Sequence, residues 1–498
     1  MLLVVLTILA MPALDFQISN TSPSSEFHNI LDGMMHPNFN IEDLTSALFT
    51  TISFALQAVA LSVLIGFIFA QLFHVKGVRQ IMSALRAVHE IFWALMFIQI
   101  FGLSSLAGLL ALTVPYSATF ARVFAEIQQE TPKKSFQRLK GGFLSKYSYS
   151  IFPVAFPRFA SYSRYRLECA IRSSVVLGFI GLPTLGFHLD SYLKTGQYAE
   201  VAALIYILIL LVLSMKLWTH RKILLPLILL SFIASPPESA TWIQSESTQF
   251  SQFIADITPK PFKSGSHIDG DLLSEASTWF GDIFVTQALP GIGYTLLLGQ
   301  LAFALSVLLA LLWFPLISTH LVSARPLRQL GDLTLICLRC LPELLLTFIA
   351  LILLGPSLIP GILALGIHNG AILAHLIGQH SNELKLRPDI HKTVGNNINA
   401  YFYEIMPGIF NQLMSFALYR GETILRETAV LGLIGIPTLG FYIDSAFETF
   451  RIDTALVLII IAAALNILTE QIATLARAQI HKCNSTNFKC DQQPAPGI

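Results

Sequence analysis

Residues 173–191, SSVVLGFIGLPTLGFHLDS, return at 427–445 as ETAVLGLIGIPTLGFYIDS, identical at twelve of nineteen positions. The offset, 437 − 183 = 254, extends back through Pro153/Pro407 and Gly141/Gly395. Arg166, Glu168 and Arg172 match Arg420, Glu422 and Arg426 in the same register. Farther upstream Arg86/Glu90 match Arg339/Glu343 at an offset of 339 − 86 = 253, so one residue is inserted between. A chain that repeats itself in this way must build one structural unit twice.

That unit is written for lipid. Apolar residues make up 54% of the 498, only 12% are charged, and the mean hydropathy is +0.65. Soluble domains carry about 25% charged residues. The apolar residues lie in long runs near 47–73, 87–101, 105–121, 151–181 and 199–218, then 222–236, 287–317, 333–354, 358–379, 405–436 and 454–475. In hydrocarbon the backbone must satisfy its own hydrogen bonds, so such runs are helices. With the short start MLLVVLTILAMPAL counted as a span, the expected fold is an all-α polytopic membrane protein of about twelve transmembrane helices. A cleaved signal is the other reading of that start, although no Lys or Arg precedes it.

Loop charge orients the spans. Segment 14–46 has no Lys or Arg, whereas 122–150 carries Arg122, Lys133, Lys134, Arg138, Lys140 and Lys146. The other basic connections hold Lys76 and Arg79, Lys216 and Arg221, Arg325 and Arg328, and Lys385, Arg387 and Lys392. Strict alternation puts all of these on the cytoplasmic side, leaves 237–286 outside and both termini inside. Six spans per copy is an even number, so the repeats insert in parallel, related by an axis along the membrane normal. The expected divisions are 1–220, 221–482 with 237–286 as its outer loop, and a cytoplasmic tail at 483–498.

Net charge is +1, which gives no field for nucleic acid. Five cysteines, an odd number and mostly within apolar runs, do not read as a disulfide framework. Cys337 and Cys340 read as small packing residues, and no metal site is expected. No GxxxxGK[ST], HExxH or GxSxG motif occurs, so neither phosphate-loop ATP binding nor those hydrolytic chemistries are encoded.

Ionisable groups inside spans are costly and face the bundle interior. Arg166, Glu168, Arg172, Arg420, Glu422 and Arg426 are therefore candidates for a translocation pathway, with Glu427 beside them. Glu168/Arg172 and Glu422/Arg426 are spaced i,i+4, as are Arg86/Glu90 and Arg339/Glu343, which suits pairing on one helix face. GLPTLG and GIPTLG, with Gly181, Pro183, Gly186, Gly435, Pro437 and Gly440, are gate candidates or simple helix terminators. Asp190 and Asp444 follow them in matching slots, as dockers of an outside partner or as turn residues.

These motifs together resemble the permease subunit of importer-type ABC transporters, in its phosphonate-type branch. Asp389, Gly395 (395 − 389 = 6) and Pro407 match that family's cytoplasmic coupling loop; Ser135, Gly141, Gly142 and Pro153 sit at the same spacing without the acid. LRCLPE at 338–343 and LRAVHE at 85–90 match its Arg-x-x-Pro-Glu segment, with His89 in place of Pro in the first copy. The resemblance implies two permease copies in one chain in a bacterial inner membrane. It also implies a separate cytoplasmic ATPase dimer, a periplasmic substrate-binding protein, and ATP held on the partner rather than here. Loops 122–150 and 380–404 would each form a short docking helix, with Pro153 and Pro407 starting the next span. The implied cargo is a phosphonate, phosphate or related oxyanion, since the fork of Arg meets such oxygens bidentately. A secondary transporter driven by an ion gradient is the alternative in another class.

Overall fold

A computed structural model describes residues 7, 12, 23–131, 142–235, 246–263, 270–384 and 397–490, and every described element is helical. In the first half α1 is Pro23–Met35, α2 Leu44–Leu72, α3 Lys76–Ala87, α4 Glu90–Phe101, α5 Ser105–Glu130, α6 Phe152–Gly178, α7 Leu185–Thr195, α8 Tyr198–Leu213 and α9 Arg221–Ala234. The second half contributes α10 Leu289–Trp313, α11 Arg325–Cys340, α12 Glu343–Leu354, α13 Ile359–Glu383, α14 Met406–Glu427, α15 Leu439–Glu448 and α16 Ile452–Cys490. Two polar stretches between them form helices Glu246–Ile257 and Gly270–Ile283.

The chain is an all-α, polytopic membrane protein. Among the described residues five helical segments are long and apolar enough to cross a membrane, or seven if each of two bent pairs counts as one span. α8 and most of α9 are shorter apolar helices. The run expected at 333–354 is not one straight helix: α11 and α12 meet at 90°, as α3 and α4 do. Physical causes differ between the copies. Leu341 sits extended ahead of Pro342, as a pre-proline residue prefers. His89, in the proline's slot, instead caps α4 by accepting from the Ile91 N–H at its Nδ1, 3.2 Å away. The bend also separates Arg86 from Glu90 and Arg339 from Glu343, so neither pair has the single-helix register their spacing predicted.

Helix starts reproduce the repeat: α4/α12 at 343 − 90 = 253, α7/α15 at 439 − 185 = 254, α8/α16 at 452 − 198 = 254. The chain forms two compact units, one of residues 24–283 and 443–463, the other of residues 1–23, 284–442 and 464–498. In the first, α2 packs along α5, with Phe54, Ala58, Leu109, Leu112 and Leu177 at its core. In the second, α10 packs along α13, around Leu298, Ala302, Leu365, Leu373 and Ile424.

Pro153 and Pro407 sit in the first turn of α6 and α14, where the sequence placed them, although the helical run itself begins earlier. Each follows a π turn, Tyr147–Ile151 and Tyr401–Ile405, within a longer helical run. Pro290 follows the same device, Phe284–Ala288. Proline lacks an N–H and its ring collides with the carbonyl four residues back. A widened turn directly before it accommodates both. Ser135, Gly141, Asp389 and Gly395, within the expected docking loops, lie outside the described residues. Among those that are described, Gly142 precedes the short helix Phe143–Lys146.

The gate candidates form a tight reversal in both copies. Gly181 and Gly435 have φ of 97° and 82°, a left-handed backbone that favours glycine. A Cβ on Gly186 would collide with the Val175 carbonyl, and one on Gly440 with the Ala429 carbonyl. Pro183 and Pro437 lie in the turn between. The chain is pinned from the side: Thr51 Oγ1 on α2 accepts from the Leu185 N–H at 2.9 Å, and Thr295 Oγ1 on α10 accepts from the Leu439 N–H at 3.0 Å. Gly186→Ala and Gly440→Ala are expected to cost about 1–3 kcal/mol each by overpacking. Gly281→Ala, which meets nothing within 4 Å, should stay within about 0.5 kcal/mol. Thermal unfolding in detergent measures all three.

Candidate functional site

Two polar chains, one in each unit, start from Arg166 and Arg420 of the predicted pathway residues. Both are built on the long helix that follows the π turn, α6 or α14.

In the first unit the Arg166 guanidinium carbon lies 4.4 Å above the ring of Tyr116 on α5. That cation–π contact suits a guanidinium shielded from water. The Tyr116 hydroxyl is 3.0 Å from Ser173 Oγ, and Ser173 donates to Glu90 Oε1 at 2.7 Å. His89 Nε2 is 3.8 Å from the other oxygen of Glu90. Tyr116, Ser173 and His89 are all buried. Arg172 Nη2 reaches Cys169 Sγ at 3.8 Å.

In the second unit Arg420 Nη1 donates to Asn369 Oδ1 on α13 at 3.3 Å, and Asn369 Nδ2 donates to Glu427 Oε2 at 2.7 Å. Asn369 is wholly buried and Arg420 is 6% exposed. One turn along α14, Arg426 Nη2 donates to Glu422 Oε1 at 3.1 Å, the i,i+4 pair predicted from spacing. His375 Nδ1 on α13 faces Asp332 Oδ1 on α11 at 3.1 Å.

Each chain thus runs from an arginine, through neutral polar groups, to a carboxylate. Only the arginine occupies a matching slot. The acid is Glu90 in one unit and Glu427 in the other, and Glu427 stands where the first copy has Ser173 (427 − 254 = 173). Asn369 replaces Pro115, and Gly370 replaces Tyr116, at the same offset. A neutral bridge separates the charges yet leaves both solvated by hydrogen bonds, which a buried ion needs. The amide, hydroxyl and phenol groups were not singled out in the sequence, because only Arg166/Arg420 repeats. A polar residue facing an arginine one helix away, at a position where the repeat breaks, is the signal that would have found them.

Asp190 and Asp444 have opposite surroundings. Lys194 Nζ pairs with Asp190 Oδ2 at 2.7 Å, whereas the matching slot near Asp444 holds Glu448 (448 − 194 = 254). Burial, with a smaller contribution from Glu448, pushes the Asp444 carboxyl up to about 6 from an ordinary 3.8.

Fold and site together define a multi-pass helical membrane protein with buried, hydrogen-bonded charges and a twofold internal sequence repeat. Comparison with known proteins agrees. The chain is 22% identical to the phosphate-import permease protein PhnE of Mycolicibacterium smegmatis, over 81% of its own length and 77% of that protein. It is 28% identical to the phosphite transport system permease protein PtxC of Stutzerimonas stutzeri, over 36% of this chain and 70% of the relative. It is also 29% identical to PhnE2 of Escherichia coli strain K12, whose name assigns it to a cryptic phosphonate transport system permease, over 21% of this chain and 88% of the relative. These relatives are transport components and not enzymes, and they bear out the resemblance to phosphonate-type permeases. No family model matches the chain, and no solved structure matches it.

Asn369→Leu should remove the hydrogen bonds that Asn369 makes to Arg420 and Glu427 and cost about 1–3 kcal/mol, read as a lower melting temperature. Asp444 makes a second prediction. Its folded pKa lies above its ordinary one, so its stabilising contribution is complete at acidic pH, below 3.8, and lost as pH rises through about 6. Glu448→Lys, which copies the Lys194–Asp190 pair, should raise the melting temperature near neutral pH and flatten that dependence. Melts across the acid-to-neutral range check it.

Proposed function

We propose that this chain is the membrane-spanning permease of an ATP-driven ABC importer for a phosphorus oxyanion, its two repeats standing for two permease copies. The observation that carries the reading is the matched pair Arg166/Arg420 at equivalent positions, the first half-buried and stacked on Tyr116, the second buried and donating to Asn369. A guanidinium stacked on a ring or bound to an amide exchanges that partner for an oxyanion at lower cost than one locked in a bidentate salt bridge. Arg forks also match the oxygens of phosphonate, phosphate and phosphite. The relatives named for phosphate, phosphite and phosphonate transport support the same cargo class.

In this reading ATP is bound and hydrolysed by a separate cytoplasmic ATPase dimer, which grips loops 122–150 and 380–404. A periplasmic binding protein delivers the anion. The protein resides in the inner membrane with both termini cytoplasmic. Force on the loops passes into α6 and α14 through the π turns, whose looser backbone bonding gives each lever a place to flex. The Gly181–Gly186 and Gly435–Gly440 reversals, pinned by Thr51 and Thr295, act as gates.

Arg166→Gln with Arg420→Gln should lower ATP-dependent uptake of labelled phosphonate, phosphate or phosphite by about tenfold or more, while the ATPase still co-purifies. Proteoliposomes measure the first and detergent pull-down the second. Unchanged uptake rejects the anion path. Uptake driven by an ion gradient, with no nucleotide and no bound ATPase, rejects the importer reading in favour of a secondary transporter.

A further inference from the structure

The repeat sets out one series of charged slots twice and breaks it at a single place. Arg86, Glu90, Arg166, Glu168 and Arg172 correspond to Arg339, Glu343, Arg420, Glu422 and Arg426, charge for charge. The next slot differs: Ser173 stands where the second copy has Glu427 (427 − 173 = 254). None of these residues is exposed. In the first unit the series holds three arginines and two glutamates; in the second it holds three of each. However the side chains pair, the first series carries one net positive charge and the second carries none. A net charge kept from water is costly, and an ion of opposite sign that joins it lowers that cost.

Packing distinguishes the two arginines in the same sense. Arg166 is half-buried and lies over the Tyr116 ring. Arg420 is 6% exposed. The slot of Tyr116 is Gly370 in the second copy, where an added Cβ would lie 3.0 Å from Leu309 Cβ and 3.2 Å from the Ser306 carbonyl oxygen of α10. No ring fits there, because α10 already covers that slot. The first unit thus gives its arginine an aromatic seat, and the second encloses its arginine.

Ser173 stands at the centre of the difference. Its hydroxyl donates to Glu90 Oε1 at 2.7 Å and lies 3.0 Å from the Tyr116 hydroxyl. A carboxylate in its place would set a second acid against Glu90 and cancel the excess charge. In the second unit Glu427 does cancel it, linked to Arg420 through Asn369.

We propose that the two repeats are unequal in anion binding: the oxyanion is held in the first unit at Arg166, and the Ser173/Glu427 difference selects that unit. This rests on the anion-path reading above and assigns the site within it. Arg166 meets the anion with its guanidinium. Ser173 is a positioning residue, which orders Tyr116 and Glu90 and, being neutral, keeps the excess charge in place.

The test measures uptake of labelled inorganic phosphate, phosphite and methylphosphonate by variants of the full chain in proteoliposomes. Arg166→Gln should lower kcat/KM by about tenfold or more, and by at least about threefold more than Arg420→Gln does. Ser173→Glu should match the loss from Arg166→Gln, whereas Ser173→Gln, as large but neutral, should lose less than about threefold. Combining Ser173→Glu with Glu427→Ser moves the excess charge to the second unit. In that background the order should invert, Arg420→Gln becoming the more damaging, a result that lost packing does not produce. Equal losses from Arg166→Gln and Arg420→Gln in the native background overturn the assignment and leave the anion path standing. No loss from either overturns both. Equal losses from Ser173→Glu and Ser173→Gln make Ser173 a packing residue and overturn its role. The comparison of the two arginines decides the assignment even where Ser173→Glu fails to fold.

Discussion

A guanidinium cannot be left bare inside a low-dielectric bundle. Removing an unpaired ion from water costs several kcal/mol after all relaxation, which is comparable to the whole stability of a domain. Arg420, buried, and Arg166, half-buried, impose that constraint at equivalent points of both repeats, and neighbouring helices are placed to answer it. α5 supplies Tyr116 to one, and α13 supplies Asn369 to the other. Helix pairs packed this closely leave little freedom elsewhere. The long α2–α5 and α10–α13 contacts hold the bridging residues at their distance from α6 and α14.

The two answers are chemically unlike. A phenol–hydroxyl–carboxylate chain in one unit and an amide–carboxylate chain in the other both give the positive charge a polar or aromatic neighbour. Keeping the arginine while exchanging its partners between the repeats separates the charge from the scaffold that tolerates it. The π turns ahead of Pro153, Pro290 and Pro407 show the same economy on the backbone: proline interrupts the ladder, and one wide turn restores continuity.

The reversal between α6 and α7, like that between α14 and α15, rests on backbone touching backbone. Where no Cβ fits at 186 or 440, the helices approach until carbonyl and glycine meet, and a threonine hydroxyl from the first long helix takes the N–H that the turn exposes. The Thr51/Thr295 offset is 295 − 51 = 244, against 253 for the next matched pair, Arg86/Arg339. The second copy therefore carries nine more residues in its first connection (253 − 244 = 9), and the equivalence of these threonines is hidden from any single register.

Helical class, lipid setting, the doubled architecture and the arginine slots could all be read from the residues. Each follows from local chemistry: apolar runs of spanning length, charge in the loops, and identical segments at one offset. The glycines of the reversal were visible too, although not what they approach. What the sequence left open was decided in three dimensions. Spacing proposed Arg86 with Glu90 and Arg339 with Glu343 on single helices, and a 90° bend removed that register. It gave no sign that Glu427 does in one repeat what Glu90 does in the other, or that Asn369 and Tyr116 share a task. Those partners come from different helices, and only packing brings them within hydrogen-bond distance. Period and composition specify which residues must leave water; the tertiary arrangement alone selects the groups that replace it.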